Sequence, residues 1–70
     1  MIKKEYLKLW GIRGFYQYEI YKITDAGAAW IEAVPKTPGL ATRIAENETD
    51  LKPILERDVA TFINFQQKVR

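Results

Sequence analysis

The sequence predicts a single α+β domain over residues 1–70, built from an N-terminal antiparallel β-hairpin, a short helix and a long amphipathic C-terminal helix. Aromatic and β-branched side chains dominate residues 2–23 and are interrupted by two glycines, which is typical of a hairpin. An alanine-rich segment follows, and residues 50–69 then repeat apolar side chains at helical spacing. A small four-stranded antiparallel sheet or barrel with the same C-terminal helix is the alternative.

The first strand is predicted at residues 2–10, where apolar and charged side chains alternate loosely. A regular strand turns successive side chains to opposite faces of a sheet. One face would then carry the following side chains: Ile2, Lys4, Tyr6, Lys8 and Trp10. Both faces of this strand contain apolar residues, since Leu7 and Leu9 fall on the other one.

The second strand is predicted at residues 15–23, and residues 11–14 form the loop of the hairpin with Arg13 at its tip. Gly11 and Gly14 permit the positive φ angles that tight hairpin loops need. One face of this strand carries Phe15, Gln17, Glu19, Tyr21 and Ile23, and the other carries Tyr16, Tyr18, Ile20 and Lys22.

The segment of residues 24–34 fits two structures. In the favoured one, Thr24 or Asp25 caps a short helix that contains four alanines and is ended by Pro35. In the other, the glycine of this segment lies in a tight turn and residues 28–34 form a third strand.

A loop with two prolines and a glycine is predicted at residues 35–39, and residues 40–47 fit either a helical turn or a short strand. The chain then enters its clearest helix, at residues 50–69, with Thr49 and Asp50 as capping residues. The apolar stripe of this helix comprises Leu51, Ile54, Leu55, Val59, Phe62, Ile63 and Val69. We expect the stripe to cover one face of the sheet.

Several functional classes are excluded by composition. Cysteine and histidine are absent, which excludes disulfide bonds, cysteine nucleophiles, conventional zinc sites and imidazole-dependent triads. The carboxylates of residues 46–50 show no spacing typical of acid–base catalysis or of a calcium loop. The sequence therefore predicts a protein that is not an enzyme and has no catalytic residue, metal site or cofactor. No apolar run approaches the ~18–20 residues of a membrane span, so we expect a cytoplasmic protein without a membrane partner.

The charges are unevenly distributed along the chain. Residues 1–24 carry five cationic and two anionic side chains, a balance of +3, whereas residues 25–58 carry four and seven, a balance of −3. Basic side chains neutralise phosphates and exposed aromatic rings stack on bases. The candidate nucleic-acid-binding residues are Lys4, Lys8, Arg13, Tyr16, Tyr18 and Lys22. This pattern favours a small non-enzymatic nucleic-acid-binding module that uses the basic aromatic hairpin.

Binding of a protein partner is the alternative function, in an adaptor or an inhibitor encoded by a phage or another mobile element. Trp10 and Phe65 are the candidate partner-binding residues, because aromatic side chains are enriched at protein interfaces. Phe65 lies beside the apolar stripe of the C-terminal helix. This helix is therefore also a candidate surface for a homodimer.

Residues 21–31, YKITDAGAAWI, resemble the exit from the wing of a winged-helix DNA-binding domain, where a strand ends in an aliphatic-Thr-x-x-Gly corner and an apolar helix begins. The tryptophan makes the stretch similar to the C-terminal winged helix of RecQ-family helicases. The resemblance covers roughly residues 5–34 and implies that residues 7–10 and 15–23 are the two wing strands. It also implies that Arg13, at the tip of the wing, touches the DNA backbone or lies in the minor groove.

Overall fold

A computed structural model describes residues 1–68 and shows an open four-stranded antiparallel sheet followed by a C-terminal α-helix. The strands lie in the order β1-β2-β3-β4, each beside its neighbour in the chain. The elements are β1 (Ile2–Ile12), β2 (Tyr16–Asp25), β3 (Ala28–Pro35), β4 (Arg43–Ala45) and α1 (Glu48–Lys68). The α+β class, the N-terminal hairpin and the long C-terminal helix are therefore confirmed. The predicted helix end at residue 69, with its apolar Val69, lies outside the described residues.

The hairpin loop lies at residues 13–15 and not at the predicted residues 11–14, because Gly11 belongs to β1 and pairs with Gln17. Ile12 pairs with Tyr16, so three residues connect β1 to β2. Arg13 and Gly14 have φ angles of 56° and 69°, and the amide of Phe15 donates to the carbonyl of Ile12 at 3.4 Å. A positive φ costs glycine little, which explains why this corner carries Gly14.

The favoured helix after Asp25 is absent, and that prediction was wrong. Asp25 pairs with Ala28, so Ala26 and Gly27 alone make the connection, with φ angles of 51° and 86°. Positive φ at both central residues is the signature of a type I′ turn, which returns the chain as an antiparallel strand. Backbone pairing along eight residues of β3 outweighs the intrinsic helix preference of its alanines. The segment that follows the winged-helix-like corner is therefore a strand, as in the alternative fold.

The ambiguous stretch before the helix becomes the short strand β4 and a cap. Arg43–Ala45 pair with β3. The side-chain oxygen of Asn47 accepts a hydrogen bond from the amide of Asp50 at 2.9 Å, which is the geometry of an N-cap. The helix thus begins at Glu48, and the predicted capping residues Thr49 and Asp50 lie inside its first turn.

A β-bulge interrupts β1 at Leu7. Tyr6 pairs with Tyr21, whereas Lys8 pairs with Ile20, so one extra residue of β1 has no partner in β2. A bulge of this kind reverses the alternation of the strand beyond it. The residues before Leu7 and those after it therefore change faces relative to a regular strand. The prediction that the even-numbered residues from Ile2 to Trp10 share one face is wrong for this reason, since Lys8 and Trp10 lie on the face opposite Ile2, Lys4 and Tyr6.

The core lies entirely between α1 and one face of the sheet. Seven buried side chains form it: Ile12, Tyr18, Ile20, Ala33, Leu51, Leu55 and Val59. Three of them are predicted stripe residues of the helix, and each of these is 0 % exposed. The predicted stripe is therefore confirmed over the described residues.

The helix and the sheet are offset along their length. Glu48, at the start of α1, contacts Lys8 in the middle of β1, whereas Phe62 packs against Tyr16 at the far end of the sheet. The first seven residues consequently extend past the helix. The radius of gyration of 13.2 Å and the extents of 46 × 18 × 17 Å describe this elongated shape, compared with about 11 Å for a compact chain of this length.

Candidate functional site

The side of the sheet opposite α1 is uncovered, and we call it the open face. Alternation along each strand and the pairing between strands decide which side chains lie on it. Its members are Ile2, Lys4, Tyr6, Leu9, Gln17, Glu19, Tyr21, Ile23, Asp25, Ala28, Trp30, Glu32, Val34 and Ile44.

Large apolar side chains on the open face are exposed to solvent. Tyr6 is 53 % exposed, Leu9 is 45 % exposed and Ile44 is 59 % exposed. Trp30 and Val34, on β3 between them, are half-buried. Single exposed apolar residues are ordinary on a protein surface, but several of them on one uncovered face of a sheet make that face a candidate interaction site.

The centre of the open face is ordered by contacts among its own side chains. Ile23 is only 6 % exposed, although no helix covers it. Its direct neighbours on the two adjacent strands are Lys4 and Trp30, which have long side chains on the same face. Tyr6 and Tyr21 meet edge to face, with ring centroids 5.6 Å apart. The face is therefore a preformed platform of aromatic and aliphatic groups.

The charged side chains of the open face contact each other and the Tyr21 side chain. The Lys4 Nζ atom lies 3.1 Å from Glu32 Oε1 and 4.4 Å from the centre of the Tyr21 ring. The Tyr21 hydroxyl donates to Glu19 Oε1 at 3.1 Å, and this hydrogen bond is the main reason that the pKa of Tyr21 is raised above 10.0. Glu19 and Glu32 are opposed by Lys4 alone, so the middle of this face is not basic.

The predicted nucleic-acid-binding tyrosines are used in the core. Tyr18 is fully buried under the helix, and its hydroxyl has no hydrogen-bond partner among the described protein groups. Tyr16 is half-buried and packs edge to face against Phe62, with ring centroids 5.9 Å apart. Tyr18 therefore has no exposed face on which a base could stack, whereas Tyr16 is only partly covered.

The predicted cations do not share a surface. The bulge places Lys4 on the open face and Lys8 on the helix side, where Lys8 Nζ lies 2.7 Å from Glu48 Oε1. Lys22 is also on the helix side, at the end of the sheet away from the hairpin loop. Six residues of β2 separate it from the loop that carries Arg13, about 20 Å at the rise of a strand. The four cations are therefore distributed over both faces and both ends.

The predicted partner-binding residues have different surroundings. Trp10 lies on the helix side, half-buried against the core, with Lys8 Nζ 5.8 Å from its ring. Phe65 is 66 % exposed on α1 and borders a shallow groove of about 330 Å³. Gly39 forms the opposite wall, where its φ of 98° and the ring of Phe62, 2.8 Å from any added Cβ, require glycine.

Sequence reasoning did not identify the open face as a candidate site. Its central aromatic residues, Tyr6, Tyr21 and Trp30, were absent from the candidate list. A pattern that indicates Trp30 is the period-two alternation of Trp30, Glu32 and Val34 after the turn. That alternation places Trp30 beside Ile23 once β3 is recognised as a strand.

Comparisons with protein-family models, curated proteins and solved structures find no match to this chain. The winged-helix resemblance therefore stays a prediction. In the described part of the chain, no helix combines the length and the hydropathy that crossing a membrane requires. The same part of the chain holds no group of three acidic side chains arranged to bind a metal ion.

Proposed function

We propose that this chain is a protein-binding module and that its partner docks on the open face of the sheet. The observation that carries the proposal is the uncovered group of large apolar side chains around Tyr6, Tyr21 and Trp30. Interface cores are enriched in aromatic residues and depleted in charged ones. The polar groups of the face are already paired with each other, so docking leaves few of them without partners.

The charge of the open face favours a protein over a nucleic acid. A surface that binds single strands combines stacking rings with cations that neutralise phosphates. Here Glu19 and Glu32 lie among the rings, and the single lysine of this group is held by Glu32. The cations Lys8 and Lys22 lie on the opposite side of the sheet. Phosphates brought to the aromatic rings would therefore meet carboxylates.

The open face is also a better docking surface than the β1 edge of the sheet. β1 is one of the two edge strands, and an unpaired edge offers backbone groups to another strand. The β1 edge carries Lys3, Lys4 and Lys8 and the bulge at Leu7, which are devices that discourage strand addition. These features favour apolar contact through the open face over strand addition at β1.

Site-specific photo-crosslinking in cells tests the proposed function. A photoreactive residue replaces Leu9 on the open face, and a matched variant carries it at Phe15, which is 73 % exposed in the hairpin loop. We expect protein adducts from position 9 and few from position 15. Equal yields from the two positions, or nucleic acid as the main adduct of position 9, would contradict the proposal.

Nucleic-acid binding is tested separately by fluorescence anisotropy with single- and double-stranded DNA at two salt concentrations. We expect no binding that depends on Lys8 and Arg13. Binding that weakens steeply with salt and is lost in a Lys8→Ala/Arg13→Ala variant would restore the competing function.

A further inference from the structure

We infer that the occupant of the open face is a second copy of this chain, so that two sheets pack face to face in a symmetric dimer. This inference rests on the proposed function, because it names the partner of the same surface. Two antiparallel sheets that pack in this way lie about 10 Å apart and interdigitate their side chains. The dimer would have helices on its two outer sides and sheets at its centre.

The first support is the amount of surface that one copy leaves exposed. The chain has an accessible surface of 5102 Å² for a mass of 8.2 kDa. A compact monomer of that mass exposes about 4,500 Å². The excess is about 600 Å², to which the uncovered side of the sheet and the elongated shape both contribute. Chains of this size often complete their core by oligomerisation.

The second support is the size of the open face. The strands have 11, 10, 8 and 3 residues, which at a rise of about 3.3 Å and a spacing of about 4.8 Å gives a face of about 500 Å². Two copies would bury about 1,000 Å², which is the size of a weak, transient interface. The face is therefore large enough for a weak dimer, and its area is comparable to the excess surface of one copy.

The third support is the mixture of charges on the open face. In a two-fold symmetric contact the same patch meets itself, so a patch of one sign would repel its copy. The open face carries both signs, and Lys4 already forms an ion pair with Glu32 within one copy, so two copies in contact do not oppose patches of a single sign. The exposed apolar groups Leu9 and Ile44 lie on opposite edges of this charged centre.

The dimer inferred here uses a different surface from the one that the sequence indicates. The apolar stripe of α1 is occupied by the sheet, since Leu51, Leu55 and Val59 are fully buried. Phe65 is the one large apolar side chain of the described helix that is exposed. A single aromatic residue does not supply the apolar area of a helix-to-helix interface.

Sedimentation equilibrium of the full chain, across concentrations that bracket the micromolar range, tests the inference. The face variant is Leu9→Lys/Ile44→Lys, and its new lysines lie opposite Glu19 and Glu32, which spares the fold of the monomer. The matched control is Phe15→Lys/Phe65→Lys, which adds the same charge at exposed apolar positions outside the open face. Circular dichroism confirms that both variants are folded.

We expect the unmodified chain and the control to approach twice 8.2 kDa with rising concentration, whereas the face variant stays monomeric with at least a tenfold weaker association. A monomer at every concentration would overturn the dimer, as would a dimer that survives in the face variant. The crosslinking experiment separates this failure from that of the proposed function. Crosslinks from position 9 to a different protein would support docking on the open face and contradict the dimer. Absence of any protein crosslink from position 9 would contradict both the dimer and the proposed function.

Discussion

The two faces of one sheet are built from similar side chains but differ in what covers them. β2 supplies Tyr18 and Ile20 to the helix side and Tyr21 and Ile23 to the open face. The first pair is 0 % exposed under α1, whereas Tyr21 remains partly accessible. Composition alone therefore does not separate a core from a binding surface. A second layer makes the difference, and this chain supplies that layer on one side only.

The largest expected effect contrasts one aliphatic residue from each face. Leu55→Ala removes a fully buried side chain from the helix side and should lower the free energy of unfolding by about 3 kcal/mol. Ile44→Ala, at a residue 59 % exposed on the open face, should change it by less than about 0.5 kcal/mol. Urea denaturation at protein concentrations well below the micromolar range measures both in the monomer. Equal losses would show that the two faces do not differ as described.

The next effect concerns the buried hydroxyl of Tyr18, which lacks a hydrogen-bond partner among the described groups. Removing an unsatisfied buried hydroxyl relieves its desolvation penalty. We therefore expect Tyr18→Phe to leave the fold intact and to raise the free energy of unfolding by about 1 kcal/mol. Tyr6→Phe on the open face is the control and should be close to neutral. A loss of stability in Tyr18→Phe would reveal a hydrogen bond that the structure does not contain.

Tyr18 also predicts that the free energy of unfolding depends on pH. Burial, and secondarily the charge of Asp58, raise the pKa of Tyr18 above its ordinary value of 10.0. A group whose pKa is higher in the folded state stabilises the fold below its unfolded pKa, and that contribution is lost as the pH rises through the folded value. The stability advantage of Tyr18→Phe should therefore grow above about pH 10. Urea midpoints measured on both sides of that pH, with Tyr6→Phe as control, would show it. A constant difference would contradict it.

The smallest effect compares the ion pairs of the two sides. Arg43 holds Asp58 through two hydrogen bonds, and the Asp58 side chain is 16 % exposed. Lys4 and Glu32 form a single contact on the open face. Because exposed ion pairs contribute between zero and about 1 kcal/mol, both effects are small. We expect Asp58→Asn to lower the urea midpoint more than Glu32→Gln, and the smaller loss to vanish in high salt. The reverse order would contradict the comparison.

Much of the fold was predictable because its patterns are local. The glycine-flanked hairpin and the apolar stripe of α1 each follow one period over many residues. β3 was mistaken for a helix because its alanines favour helix formation. Its strand conformation depends on the turn at Ala26 and Gly27 and on pairing with β2, which local propensity does not contain. β4 is only three residues long, so its pattern was too short to decide between a turn and a strand.

The candidate site was less predictable, because a single extra residue decides it. The bulge at Leu7 separates Tyr6 and Lys4 from Lys8 and Trp10, which a regular strand would place together. Lysines and aromatic rings that the sequence pattern assigns to one basic surface therefore lie on different faces. A bulge in an exposed edge strand leaves no clear mark in a hydrophobic pattern.

The two tryptophans test the central claim most directly, since each lies on one side of the sheet. Trp10 packs on the helix side, whereas Trp30 lies on the open face beside Ile23. Their indole N–H groups give separate signals in ¹H–¹⁵N spectra, which are recorded over a dilution series that brackets the micromolar range. We expect the Trp30 signal to shift with concentration while the Trp10 signal stays constant. A shift confined to Trp10, or constant signals from both, would contradict the pairing of two copies through the open face.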